Sequence, residues 1–351
     1  MVFLDDSAML FQLSDSIVSY APQDEEKVLF SVARILDSFR DGCIYLTASV
    51  LVCQFFKLKF KEERLLKTLN YIDQNRALLP SVLWRVSIVL ADPDYTKYEV
   101  GLSFFEKSDC LLIPFFVSEN VNDIEFYSFI TKAYYPEASL CYIPAMGGGS
   151  TTSKVISEIR RFGFILAIVD SDRKYRDAEL GETASNCNKV IRHNNAFAYL
   201  KVLNIHEVEN LIPLSSISKV QMNRESRGFF RKILSVKYFD FLPFYDYKEG
   251  VSVSDMENSL YRFFAEDIYA HLYSKNKKQF SKYISECKKK KKKVFPGFRK
   301  DLLDDYLKRF RSNEDDGFRE ILGFDTFEST RRCIAKLVFT FCCARGTTPI
   351  N

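Results

Sequence analysis

Histidine is scarce in this chain, with three in 351 residues (His193, His206 and His271), and there is a single tryptophan. A catalytic site centred on imidazole is therefore not expected, and acid–base or metal chemistry falls to carboxylates. The nine cysteines include no C-x-x-C pair, and Cys342 and Cys343 are merely adjacent. That spacing excludes the usual zinc and dithiol centres and leaves the cysteines as small core residues of a reducing compartment. No apolar run reaches the ~18 residues of a membrane span. The longest, Ile44–Phe56, is broken by Thr47, Ser49 and Gln54. The opening Met1-Val2-Phe3-Leu4-Asp5-Asp6 has no basic segment ahead of an apolar one, so no signal peptide is expected and the chain reads as soluble and cytoplasmic. There is no G-x-x-x-x-G-K-[ST] either, which assigns any ATPase function to another chain.

The sequence is instead rich in phenylalanine (32) and tyrosine (19), with 47% apolar residues, enough for a sizeable core in two domains or one elaborated domain. The net charge of +4, from 50 basic and 46 acidic residues, does not by itself mark a nucleic-acid binder. Its distribution says more. Six consecutive lysines, Lys288, Lys289, Lys290, Lys291, Lys292 and Lys293, follow Lys275, Lys277, Lys278 and Lys282. Such a run attracts a phosphate backbone through counterion release, and it also suits a solvated loop.

Residues 1–108 read as mostly helical. Asp24-Glu25-Glu26 precedes Val28, Leu29, Val32, Ile35, Leu36 and Phe39, a helical spacing that stops at Asp41-Gly42. Further periodic stretches cover Leu46–Phe56 and Glu62–Ile72, and the chain beyond them is broken at Pro80 and Asp92-Pro93-Asp94. With no chemical motif, 1–108 is expected to be a helical accessory domain for partner contact or assembly. From residue 109 strands and helices alternate: a β-rich run Cys110–Val117, a helix Ile124–Tyr134, a strand Leu140–Ala145, a helix Thr152–Arg161, a strand Phe164–Val169 and a strand Ala196–Leu203. This predicts an α/β domain over 109–214, a mainly parallel sheet with flanking helices whose right-handed crossovers align the strand ends on one edge. Residues 215–351 return to helix.

The acids fall at those strand ends. Phe164–Val169 stops at Asp170-Ser171-Asp172, and along an extended backbone carboxylates two residues apart share a side. Two hard oxygen ligands at the end of a buried strand begin a Mg²⁺ site. The first strand leads to Glu119 and Asp123, and the fourth to Glu207 and Glu209. In an extended segment Glu207 and Glu209 share a face, whereas in a helix only one points inward, so the choice between them stays open. Each acid also has a local use: Glu119 or Asp123 as a cap of the helix from Ile124, Asp170 and Asp172 as turn residues. Gly147, Gly148 and Gly149 suit a tight turn, with a phosphate at the next helix N-terminus as the alternative. His206 reads as a structural neighbour of this set.

An acid after strand one, a Gly turn after strand two, Asp-x-Asp after strand three and further acids after strand four resemble a Toprim domain. That is the metal-dependent catalytic fold of topoisomerases, primases and several nucleases. The first motif appears as Phe116-Val117-Ser118-Glu119-Asn120-Val121-Asn122-Asp123, with Asn120 where nuclease members have Gly, Asn being the next best residue for positive φ. Ile205-His206-Glu207-Val208-Glu209-Asn210-Leu211-Ile212-Pro213 is similar to the fourth acidic motif of OLD-like (overcoming lysogenization defect) nucleases and related Toprim effectors of bacterial anti-phage defence. Asp246-Tyr247-Lys248-Glu249-Gly250 resembles a lysine-containing segment that lies after the Toprim core in that branch. The resemblance covers about residues 109–250.

It implies a catalytic Glu119, acting as general acid/base or metal ligand according to the step. It implies Asp170 and Asp172 holding Mg²⁺ or Mn²⁺, with Glu207 or Glu209 and Asp123 completing one or two sites. Lys248 would neutralise charge on the pentavalent phosphorus. The implied function is a metal-dependent endonuclease acting on DNA or RNA, tRNA included, as a phage-defence effector held in check by a regulatory or ATPase sensor protein. The aromatic C-terminal region then supplies a homodimer interface or a substrate wall. The alternatives are a Toprim fold that has lost activity and serves as a partner-binding module, or primase or topoisomerase chemistry.

Overall fold

The computed structural model describes residues 9–76, 84–94, 98–106, 111–192, 198–311 and 313–344. The chain forms two compact units: Met1–Ile168, Asn186–Lys201 and Ile334–Asn351 make the first, Val169–Ser185 and Val202–Cys333 the second. This division differs from the expected bounds at 108 and 214.

The first unit opens with β1 (Met9–Leu13), α1 (Glu25–Arg40), β2 (Tyr45–Ala48), α2 (Val50–Lys59), α3 (Glu63–Asn75), β3 (Trp84–Val89) and β4 (Glu99–Gly101). α1 forms where the periodicity places it and buries Val28, Val32, Ile35, Leu36 and Phe39. α3 likewise covers the expected Glu62–Ile72 stretch, but the region is not built of helices alone. Four strands pair in the order β2-β1-β3-β4, and the pairings β1–β2, β1–β3 and β3–β4 are parallel. The strands are three to six residues long, too short for their period to be told from that of a helix. The Leu46–Phe56 stretch hides a junction: Leu46 belongs to β2, and Ser49, accepting the Val52 N–H at 3.1 Å, starts α2.

Then come β5 (Leu111–Ser118), α4 (Val121–Tyr134), β6 (Ser139–Leu140), β7 (Ile143–Met146), α5 (Thr152–Ile159), β8 (Gly163–Val169), α6 (Glu182–Arg192) and β9 (Ala198–Val202). Cys110, His193 and the first two residues of the expected fourth strand lie outside the described residues. The second sheet has the order β7-β5-β8-β9, with β5 parallel to both neighbours: Val117 pairs with Ala145 and with Ala167. Every residue of β8 is buried, as expected of a central strand covered on both faces. The expected strand Leu140–Ala145 is two pieces, because Ser139 and Leu140 instead pair antiparallel with a C-terminal strand. The two four-stranded sheets share one core: the Phe11 and Phe164 rings meet edge to face with centroids 4.9 Å apart. The N-terminal segment is thus part of the same α/β unit, not a helical appendage.

The second unit carries α7 (Leu214–Ile217), α8 (Arg224–Val236), β10 (Gly250–Val251), α9 (Ser259–Tyr273), α10 (Lys277–Lys289), β11 (Phe295–Pro296), α11 (Leu302–Phe310) and α12 (Glu314–Ile321). The chain finishes with α13 (Glu328–Cys342) and β12 (Cys343–Ala344), the partner of β6. The lysine run is not all loop. Lys288 and Lys289 close α10, where cations offset the helix dipole, and Lys291 turns the chain away at φ 51°. Among the described residues no helix is long and apolar enough to cross a membrane.

Candidate functional site

In the first unit the carboxyl end of β5 is built as a tight corner. Asn120 is the N-cap of α4, three residues earlier than the periodicity places it, and its φ of −133° is extended rather than left-handed. An amide stands in the glycine position because the corner needs a cap, not a positive φ. Asp123 is not the cap but its reciprocal partner. Its Oδ2 accepts the Asn120 N–H at 2.9 Å and the Ser118 hydroxyl at 3.1 Å, which closes a capping box. Positive φ is needed at Gly148 (62°) and Gly149 (67°), while a Cβ on Gly147 would come within 2.1 Å of Thr152 Cα. This turn donates Gly147 N–H to Ser118 O and Gly148 N–H to Glu119 O, at 3.1 and 3.0 Å. Glu119 is half-buried, and its Oε2 lies 3.7 Å from where a Gly149 Cβ would stand.

In the second unit the first acids separate. Asp170 Oδ1 accepts the Val208 N–H at 2.9 Å, which turns it toward the segment after β9. Asp172 is exposed, has a left-handed φ of 53° and packs its carboxylate against Gly181. The strand alternation that would put both aspartates on one side ends before Asp172, because its N–H is claimed by His206 O at 2.9 Å. The Ser171 hydroxyl, donating to Ile205 O at 2.5 Å, fixes the same crossing.

The Ile205–Asn210 segment is clamped by Asn210, which is fully buried. Its Oδ1 accepts the Glu207 N–H at 2.8 Å, and its Nδ2 donates to Leu242 O and Tyr245 O at 2.8 and 2.9 Å. His206 N–H adds a bond to Pro243 O at 2.7 Å. The fully buried guanidinium of Arg331 holds the far end through Leu211 O at 3.3 Å. These bonds lay residues 205–210 against the Phe244–Gly250 motif. Glu207 is 4% exposed and Glu209 6%. Glu207 Oε1 accepts the Tyr247 N–H at 2.9 Å, and its Oε2 is 2.9 Å from Lys248 Nζ. Glu209 Oε2 is 3.1 Å from the same ammonium, held by charge without the alignment of a hydrogen bond. The open choice between the two glutamates is resolved by neither alternative. Glu207 is extended, Glu209 lies in the 3-10 turn Val208–Leu211, and both reach Lys248.

Burial pushes the Glu207 carboxyl up to about 7, with repulsion from Glu209 added and the pull of Lys248 opposing. Desolvation of Lys248 is outweighed by Glu209, Glu207 and Asp170, which hold its ammonium protonated above the usual range. Asp170, Glu207 and Glu209 therefore place three carboxylates in the field of one lysine. His206 and Asp246 were missed in the sequence as members of this group. His206 Nδ1, 3.0 Å from Arg173 O, must donate to it, which leaves Nε2 facing Asp246 Oδ2 at 3.8 Å. Burial lowers the imidazole pKa, but Asp246 and Glu207 raise it more. Burial in turn raises Asp246, and the His206 contact and the Glu249 N–H bring it below its ordinary value. Among the described residues, His206, Glu207 and Asp246 are the one cluster with ligand atoms all within 4.8 Å of one another. The sequence signal for both was position: one precedes Glu207, the other precedes Lys248 by two residues.

Compared with known proteins, the chain matches no family model, no curated protein and no solved structure.

The acids are of the type a hard divalent cation takes, but among the described residues only His206, Glu207 and Asp246, and not Asp170, Glu207 and Glu209, bring ligand atoms within 4.8 Å of one another. Asp170 and Glu207 are each oriented by a backbone N–H. The exposed lysines of the 288–293 run stand outside this set.

Proposed function

We propose that the chain is a divalent-metal-dependent hydrolase of nucleic-acid phosphodiester bonds, of the Toprim type found in phage-defence effectors. The observation that carries the reading is the pair of nearly buried glutamates sharing the Lys248 ammonium beside Asp170, with the Glu207 carboxyl driven up by burial and by repulsion from Glu209. Asp170, Glu207 and Glu209 would hold Mg²⁺ or Mn²⁺, which when bound supplies Lewis-acid charge at the phosphoryl oxygens. Lys248 keeps its proton throughout and stabilises negative charge building on the phosphorus oxygens. His206, oriented by Arg173 O, keeps Asp246 ionised beside the set. Asp172 is a positioning residue in this reading, while Glu119 and Asp123 belong to the first unit and are assigned no step in it. A sensor or ATPase on another chain controls the activity, since nothing in the sequence binds a nucleotide triphosphate by a P-loop.

The same lysine supports a second reading. An ammonium that already bridges two glutamates is itself a counter-ion, and a binding module without metal would use it as a structural lock. Purified protein, with and without Mg²⁺ or Mn²⁺, incubated with plasmid DNA and total tRNA decides between them when Asp170→Ala and Glu119→Ala are run alongside. Metal-dependent cleavage lost in Asp170→Ala establishes the hydrolase, and the substrate cut gives its class. No thermal shift on adding either metal favours the lock; absence of cleavage alone does not, because the hydrolase is under the control of another chain.

A further inference from the structure

We infer that the groove over α8 binds a single strand of nucleic acid, its bases stacked on tyrosines and its phosphates held by a cationic helix face. Naming that strand as the substrate rests on the hydrolase reading above; its binding does not. Arg224, Gly228 and Lys232 stand at i, i+4 and i+8 and share one face of α8. They line a cavity of about 630 Å³ with Tyr273, Tyr283 and Lys292, in the size range of ligand clefts. Gly228 is the telling residue. A mid-helix glycine costs about 1 kcal/mol relative to alanine, and nothing in the packing requires it, since a Cβ there would meet no atom within 4 Å. What glycine leaves is an open floor on which a flat group can lie against the helix backbone.

The walls fit the two halves of a nucleotide. Tyr273 and Tyr283 present half-buried rings with centroids 6.3 Å apart, and the Tyr283 hydroxyl is pinned by donating to Val294 O at 2.8 Å. Rigid aromatic faces stack bases without regard to sequence. Arg224 and Lys232 are exposed and point charge at the same cleft. Among the described residues Lys292 pairs with Glu225 at 3.4 Å, with both side chains over half exposed, a weak pair that a phosphate readily replaces. Three cations against the one carboxylate of Glu225 leave the cleft positive, and Lys288 to Lys291 extend that charge along the exit of α10. An acidic peptide would use the cations but leave the tyrosine wall idle; a nucleic-acid strand uses both.

The test is fluorescence anisotropy of the full chain in EDTA with labelled single strands of about 12 nucleotides, a length inside known site sizes. One strand is RNA, one is DNA of the same sequence, and a duplex serves as a third arm. Gly228→Leu fills the floor with a helix-favouring side chain in open space, so folding is retained and is checked by thermal melting. It and Lys232→Glu are each expected to weaken single-strand binding about tenfold, with Lys232→Glu also lowering the salt slope by about one. Lys27→Glu, an equal charge change on exposed α1, is expected to leave affinity nearly unchanged. Binding of RNA, DNA or both names the source of the strand. Wild-type affinity in Gly228→Leu, equal weakening by Lys27→Glu, preference for duplex, or no binding by the wild type overturns the inference. Because hydrolysis cannot proceed in EDTA, this result and that of the cleavage assay fail independently.

Discussion

Asp123 and Glu207 are nearly the same object in local geometry. Each is a carboxylate only 5% or 4% exposed, each belongs to a capping box, and each closes a turn beyond a strand of the second sheet. They differ in company. Asp123 accepts an N–H and a hydroxyl, dipoles that stabilise its charge. Glu207 accepts N–H groups too, but it also faces a second buried glutamate and one shared ammonium. Burial of an acid therefore does not distinguish architecture from chemistry. Charge left over after the local hydrogen bonds are counted does.

Activity should separate the two acids most strongly. Glu207→Ala with Glu209→Ala is expected to lower metal-dependent cleavage by about a thousandfold or more, while Asp123→Asn keeps most of it. A plasmid-nicking assay in which Asp123→Asn is as inactive as the double variant would end the distinction.

The next largest effect is on stability against pH. The Glu207 carboxyl sits higher in the folded protein, about 7, than its ordinary value of 4.5. The folded state therefore binds that proton more tightly than the unfolded chain does. Its contribution is fully present below pH 4.5 and is lost as pH rises through 7. Urea unfolding in EDTA should show Glu207→Gln gaining on wild type by up to about 3 kcal/mol between pH 4.5 and pH 8. A pH-independent difference would place Glu207 in the same class as Asp123.

Removing the shared counter-ion is expected to cost somewhat less. Lys248→Met leaves two buried glutamates facing each other, at about 2 kcal/mol given that the lysine is about one-third exposed. Millimolar Mg²⁺ or Mn²⁺ should restore part of the lost melting temperature if the acids accept a metal. Failure of either ion to do so favours the structural lock.

The smallest effect belongs to the cap. Asp123→Ala is expected to destabilise by about 1 kcal/mol in denaturant melts, because the loss is of a helix cap. A strong pH dependence there would show that Asp123 also carries unbalanced charge.

Helix α1, the helix–strand alternation after residue 109 and the glycine corner before α5 are all legible in the order of residues alone. They depend on neighbours a few residues apart, whose periodicity and φ preferences are local properties. The acids at strand ends are legible in the same way, since Asp170, Glu207 and Glu209 all come within a few residues of an apolar run. Which of them share a site is set by contacts between distant segments. Asp172 leaves its expected face because a carbonyl from His206 takes its N–H, and Asp246 joins through Asn210 and His206, whose bonds fold residues 242–248 back over 205–210. The sheet within the first hundred residues was hidden for the same reason. Strands of three to six residues are specified by their partners across the sheet, and a chain read one residue after another does not contain those partners side by side.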